Sequence, residues 1–315
     1  MPTIKDVAKK AGVSVATASY AINGDERIKP ETRQKVIDAA IELHYIPNGS
    51  AKNLKRQKSN IVLVFVSSFG GPIYQEILSY LDEKLLKLDY RMIICNGSLA
   101  TYIIEEKNYD AIINLDATID SRMLELISRF YPVIDTTRDY ECNRLVSLPI
   151  PGAEPMYEAT LMAINDGNKK IGFMHGSIDS YDDKERFKGF KIAMEEFGLD
   201  PFCILEGKFT TSSGYDAIKE YLWKNNELPE VLICSNDEMA VGALDYLKKI
   251  NYDMSKFKMI GFDNINIGNY YKLTSIAVDR DEWTTLIVDT LDRLINDQEI
   301  IKRECKYEII RRNTF

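Results

Sequence analysis

Apolar residues recur at two different periods along this chain, and the change of period divides it. Near the N-terminus Ile4, Val7, Ala8 and Ala11 stand three or four apart, which predicts a helix with one buried face. Gly12 breaks that pattern and tolerates the positive φ of a tight turn between helices. Ser14 is a good N-cap and predicts a second helix running to about residue 22. Pro30 suits a first helical turn and opens a third, with Val36, Ile37, Ala40 and Leu43 as its inward stripe. Three short helices on one small core predict an all-α helix-turn-helix head over 1–46.

Residues 47–59 are polar and basic, with Ala51 and Leu54 as apolar exceptions, too few to hold a helix alone. From residue 61 the pattern becomes continuous apolar runs separated by amphipathic stretches. The run at 61–66 predicts a strand buried on both faces, with further strands at 91–95, 111–115 and 132–135 and a helix across 73–88. A second series, begun near Pro151, predicts strands at 170–174, 203–206, 231–234 and 258–262. Two such series predict an α/β core of two doubly wound lobes, with ligand in a cleft at the strands' carboxyl ends.

Charge separates the same regions. Residues 1–58 carry 11 Lys and Arg against 6 Asp and Glu, a net +5, while the whole chain stands at −8. The remainder is therefore −13. A basic head is attracted to phosphate and an acidic body repelled, which predicts a nucleic-acid partner for the head alone. Polar residues follow Met1 at once, so no secretory leader is expected, and no apolar run reaches the ~20 residues of a membrane span. Cys95, Cys142, Cys203, Cys234 and Cys305 are scattered singly, as expected of reduced thiols in a cytoplasmic protein.

Enzyme signatures are missing. There is no Gly-rich phosphate loop, no Gly-x-Ser-x-Gly elbow and no metal-spaced His/Cys cluster. The two histidines leave little scope for general-base catalysis. His44 packs against or caps the third helix; His175 either lines the cleft or fills an ordinary loop position.

Thr3-Ile4-Lys5-Asp6-Val7-Ala8, Ala11-Gly12-Val13-Ser14, Asn23-Gly24, Thr32-Arg33 and His44-Tyr45-Ile46-Pro47-Asn48 together resemble the head of the lactose-repressor/galactose-repressor (LacI/GalR) family. The resemblance spans nearly the whole chain. It implies a helix-turn-helix head, a hinge at 47–59, and a periplasmic-binding-protein-like core. In that core 60–150 and 279–302 form a first lobe, 151–275 and 303–315 a second. The chain would cross between lobes three times, with 275–279 and the stretch near Arg303 as later crossings. The implied function is a homodimeric, sequence-specific transcriptional repressor, not an enzyme, controlled by a small sugar-like effector between the lobes. Its partners would be a palindromic double-stranded DNA operator, the effector and a second copy, with no cofactor, metal or membrane. Control by a protein co-regulator is the alternative. A solute-binding receptor would share the core but not the basic head.

The same resemblance assigns residues. Val15, Ala16 and Tyr20 match base-reading positions, and Val15 and Ala16 can offer only apolar contact, as to thymine methyls. Thr3, Ser14, Thr17, Ser19, Asn23, Lys29, Thr32 and Asn48 match the rest of the DNA-binding set, small hydroxyls suiting phosphate contacts. Most members have arginine where Tyr20 stands. One hydroxyl gives one bond to a base or phosphate, so an unusual half-site is expected. In the hinge, Leu54 matches a leucine that opens a base step in the minor groove, and Ala51 the small residue that lets two hinges pack.

For the effector, Arg186 matches an arginine that clamps hydroxyls or a carboxylate through its planar fork. Asn236 can donate to and accept from a hydroxyl. Asp237 is either a helix N-cap or a ligand contact. Asp263 matches a carboxylate that accepts from ligand hydroxyls, and Phe209 stands where an aromatic stacks on a sugar, or in the core. Ser68 and Tyr74 could still face the cleft from a first lobe that lacks the family's Asn-Pro. Residues 96–109 leave little room for a full helix, and 148–154, Asn168 and Lys272 also depart from the pattern. These departures bear on the ligand more than on the fold, and an ordinary hexose is not implied.

Overall fold

Helices α1 (Ile4–Ala11), α2 (Val15–Ile22) and α3 (Pro30–Glu42) form where the apolar spacing predicts them. The computed structural model describes residues 2–46, 58–67, 70–115, 119–138, 140, 142, 144–225, 227–301 and 303–315. Asn48, Ala51, Leu54 and Ser68 lie outside the described residues. The chain divides into two units, Met1–Ser59 and Asn60–Phe315.

In the first unit Asp6 accepts from the Thr3 amide and hydroxyl at 2.8 Å each, which starts α1. Gly12 takes φ +69° at the turn, a conformation glycine adopts without strain. The core is Val7, Ala8, Ala18, Ala21, Val36 and Ala39. Ala40 and Leu43 pack at its rim, as predicted. Ile37 does not: it is exposed, because one residue beyond Val36 turns it about 100° away from the core, and Ala39 fills the inward position.

The second unit holds two sheets. The first comprises β1 (Ile61–Val66), β2 (Arg91–Asn96), β3 (Ala111–Asn114), β4 (Val133–Asp135) and β5 (Leu145–Ser147), all parallel, in the order β2-β1-β3-β4-β5. Helices α4 (Pro72–Lys87), α5 (Ala100–Glu105) and α6 (Ser121–Ser128) connect them, α5 being only six residues long.

After α7 (Ala153–Asn165) comes the second sheet: β6 (Ile171–His175), β7 (Ile204–Glu206), β8 (Val231–Cys234), β9 (Lys258–Phe262), β10 (Thr274–Val278) and β11 (Tyr307–Ile310). Its helices are α8 (Tyr181–Glu196), α9 (Thr211–Lys224), α10 (Asp237–Lys249) and α11 (Asn266–Tyr270). The order is β11-β10-β9-β8-β6-β7, with β11 antiparallel. Read from β7, this repeats the winding of the first sheet. Each lobe reverses its winding between its first and third strands, which opens a crevice at the carboxyl ends of β1 and β3 and of β6 and β8.

Helix α12 (Arg280–Ile295) leaves the second sheet after β10 but places Trp283, Ile287, Val288, Leu291 and Leu294 in the core of the first. The chain then returns as β11. Helix pairs on the second lobe meet at glycines: a Cβ on Gly189 would lie 2.0 Å from the Ala153 carbonyl oxygen, and one on Gly242 1.9 Å from that of Thr211.

Candidate functional site

In the head, α2 turns one side inward and the other to solvent. Ala18 and Ala21 are buried, while Val15 and Tyr20 are 43% and 47% exposed. Ser14 caps the helix by accepting from the Thr17 amide at 3.0 Å, and its hydroxyl lies 2.8 Å from that of Thr17. Asn23 donates from its side-chain amide to the Ser19 carbonyl at 2.7 Å, closing the far end. Ala16 and Lys29 are exposed, Thr32 and Ser19 half-buried. The face thus carries two apolar contacts, small hydroxyls and a tyrosine.

The second lobe gathers its polar groups at the carboxyl ends of β6, β8 and β9. Arg186, on the first turns of α8, is buried. Its Nη1 donates to the Ser235 carbonyl at 2.6 Å, and its Nη2 lies 3.6 Å from Asp263 Oδ1. The guanidinium stands over the Phe262 ring at 3.8 Å, with the Phe209 ring 6.0 Å away. Phe209 has φ +59° and lies against Gly176, where any Cβ would be 2.2 Å from the ring. His175 Nδ1 is 2.6 Å from Asp183 Oδ2, and the Gly176 amide donates to Asp183 Oδ1 at 2.6 Å. Burial raises the Asp183 carboxyl, but these bonds outweigh it and hold the group below its ordinary value.

Asp263 and Asp237 are buried carboxylates of a different kind. Burial, opposed by Arg186 and Arg280, pushes Asp263 up to about 6. Burial, helped by the neighbouring Asp263 charge, pushes Asp237 up to about 8.

The first lobe answers with a cluster that the sequence did not single out. Asn114 ends β3 and Asp135 ends β4, both fully buried. Asp135 Oδ1 accepts from the Asn114 side-chain amide at 3.1 Å, the Thr137 amide at 3.1 Å and the Thr137 hydroxyl at 2.9 Å. Among the described residues, Asn114 Oδ1 and Asp135 Oδ2 have no hydrogen-bond partner. Their signal in the sequence was a polar residue at the carboxyl end of an otherwise apolar strand run. Arg280, at the start of α12, joins the lobes: Nη2 donates to Glu76 Oε2 at 2.7 Å and Nη1 to the Asp263 carbonyl.

The chain thus carries a helix-turn-helix head and a two-lobed core. Residues 3–48 match the model for bacterial regulatory proteins of the lacI family, and residues 162–315 that for a periplasmic binding protein-like domain. The transcriptional repressor PurR of Haemophilus influenzae (strain PittEE) is 30% identical over 285 residues, 86% of this chain and 84% of that one. The chain belongs to the lacI family. Among solved structures, a sugar-binding transcriptional regulator of this family from Enterococcus faecalis aligns with TM-score 0.75 at 28% identity, over 82% of this chain and 99% of that one. The Lac repressor dimer bound to operator and the anti-inducer ONPF shares the fold, with TM-score 0.80 at 20% identity over 99% and 98% of the two chains. As a lacI-family member, this protein is a DNA-binding transcriptional repressor regulated through an effector-binding core, and not an enzyme. No described helix is long and apolar enough to cross a membrane. Among the described residues no three His, Cys, Asp or Glu side chains are grouped to hold a metal ion.

The residues assigned from sequence divide within this family frame. Arg186, Asp263 and Phe209 come together at one end of the second sheet. Asn236 is beside them, but its side chain is tied down: Oδ1 accepts from the Met239 amide at 3.0 Å as the N-cap of α10, and Nδ2 donates to the Phe209 carbonyl at 3.0 Å. Asp237 is therefore not the cap. It is fully buried, accepting from Ser275 Oγ at 2.7 Å and the Ile265 amide at 2.9 Å, and so fastens β10 to the loop after β9. Tyr74 is half-buried against the first-lobe core. His44 is exposed beyond α3, at φ +51°.

Proposed function

We propose that this repressor acts as a homodimer on a palindromic operator and responds to a small polyhydroxylated, sugar-like molecule held between the lobes. Val15, Ala16 and Tyr20 would face base edges. Thr3, Ser14, Thr17, Ser19, Asn23, Lys29, Thr32 and Asn48 would hold the DNA backbone, and Ala51 and Leu54 would pair the hinges in the minor groove. A second copy is needed because one head of this size offers too little contact for operator affinity.

The observation that carries the effector reading is the pairing of Arg186 and Asp263 beside Phe209 and Phe262. A guanidinium fork and a carboxylate against aromatic rings present donors, acceptors and an apolar face to one molecule, as vicinal hydroxyls on a ring require. Asn114 and Asp135 would complete it from the first lobe, offering buried acceptor atoms to ligand hydroxyls. Ser68 and Tyr74 would lie at its margin. Ligand binding would then change how the lobes stand to each other, and with that the pairing of the hinges.

The test is a thermal-shift screen of the full chain against sugars, sugar phosphates, sugar acids and nucleosides. A ligand at 100 times its Kd stabilises the folded state by about 2.7 kcal/mol. A hit that disappears in Asp263→Asn and Asp135→Asn supports the reading. A hit unaffected by both would overturn this placing of the site. No hit in any class would turn the search to a protein co-regulator.

A further inference from the structure

Tyr20 stands among the residues proposed to face base edges, and the described head holds a guanidinium beside it. Arg27 lies over the Tyr20 ring, its guanidinium carbon 5.1 Å from the ring centroid. It is not a loosely tethered surface charge. Its Nε donates to Asp25 Oδ1 at 2.9 Å and its Nη2 to Oδ2 at 2.7 Å, a two-bond fork, and its backbone amide donates to Oδ1 at 3.0 Å. Asp25 is itself fixed. Its amide donates to the Tyr20 carbonyl at 3.1 Å, and its carbonyl accepts from Arg33 Nη2 at 2.7 Å and the Ile28 amide at 3.1 Å.

The loop after α2 thus holds the guanidinium over the Tyr20 ring with the Asp25 carboxylate at one edge. That fork occupies Nε–H and one Nη2–H of the five donors, so Asp25 does not use the Nη1–Nη2 edge. The side chain is 75% exposed. Two parallel N–H donors match the N7 and O6 acceptors of guanine, the pairing by which arginine reads that base in the major groove. A hydroxyl alone could not do this.

We propose that Arg27, held over Tyr20 and oriented by Asp25, is a base-reading residue of this head and selects a guanine in each half-site. The inference rests on the head being a major-groove reader. A lysine-like phosphate contact is the competing role for any exposed cation, and it would position the head without specifying sequence.

The experiment selects bound duplexes from a random-sequence library with the full chain, then measures binding to the selected duplex with 7-deazaguanine replacing each guanine in turn. One such replacement, which removes the N7 acceptor, should weaken the wild type about tenfold and leave Arg27→Ala no weaker than on normal guanine. Arg27→Ala should lose the preference at that base, by about five- to 150-fold. Asp25→Asn should blunt the preference while keeping the salt dependence. If Arg27→Ala binds all sequences equally less well, and its salt slope falls by about one, Arg27 is a phosphate contact and the proposal is overturned. It is equally overturned if the guanine preference survives in Arg27→Ala. If the wild type selects no sequence at all, the failure belongs to the reading of the head, not to Arg27.

Discussion

Arg186 stands over the Phe262 ring at 3.8 Å while its Nη2 lies 3.6 Å from the carboxylate of Asp263, the next residue in the chain. One turn of backbone after β9 thus supplies both an apolar platform and a counter-charge for the same guanidinium. Asp263 reaches that place at φ +101°, a conformation side-chain-bearing residues rarely adopt. Removing the arginine leaves a buried carboxylate with less compensation. Arg186→Ala should cost about 3 kcal/mol of unfolding free energy and abolish any ligand-induced rise of the thermal midpoint. Loss of the ligand response with unchanged stability would mean the pair contributes nothing to folding.

The pH dependence of core stability should centre on Asp237. Its carboxyl is raised to about 8, first by burial and then by the nearby Asp263 charge. The folded protein therefore keeps a proton that the unfolded chain releases near pH ~4. That contribution is complete below the unfolded value and lost as pH rises through about 8. The wild-type midpoint should fall from pH 5 to pH 8, and Asp237→Asn should fall less over the same window. The variant should start lower, because an amide oxygen cannot replace both acceptors used by Ser275 and Ile265. Parallel pH curves would assign the titration to another group.

Gly242 lets α10 approach α9 more closely than any side chain allows. With its Cβ 1.9 Å from the Thr211 carbonyl oxygen, Gly242→Ala must push the two helices apart. A loss of about 1–3 kcal/mol in chemical denaturation is expected. An unchanged midpoint would show that the pair can part without cost.

Ser14 matters to the head before any DNA is bound. Its hydroxyl caps α2 at the Thr17 amide. Ser14→Ala should destabilise the helix by about 1 kcal/mol, read as roughly fivefold faster hydrogen exchange of the α2 amides. Exchange unchanged in α2, with DNA binding reduced, would assign Ser14 wholly to the interface.

Much of this protein is written locally. Ile4, Val7, Ala8 and Val36 foretell the head because helical periodicity and a cap are properties of neighbouring residues. The run Ile61–Val66 declares a doubly covered strand for the same reason. Short strands with half-exposed residues, such as Tyr307–Ile310, carry no such pattern and escape notice.

The sequence by itself determined the helices of the head, the two α/β series and the separation of charge. Only the tertiary structure decided which polar groups meet. Asn114 and Asp135 lie 21 residues apart and join only because β3 and β4 are adjacent strands ending at the same edge. Glu76 and Arg280 lie 204 residues apart and meet because α12 crosses back to the first lobe. Asn236 rather than Asp237 caps α10 because burial of the aspartate under β10 leaves only the asparagine at the helix end. Periodicity is a local property of the chain, whereas the pairing of polar atoms across strands depends on sheet order, which no window of sequence contains.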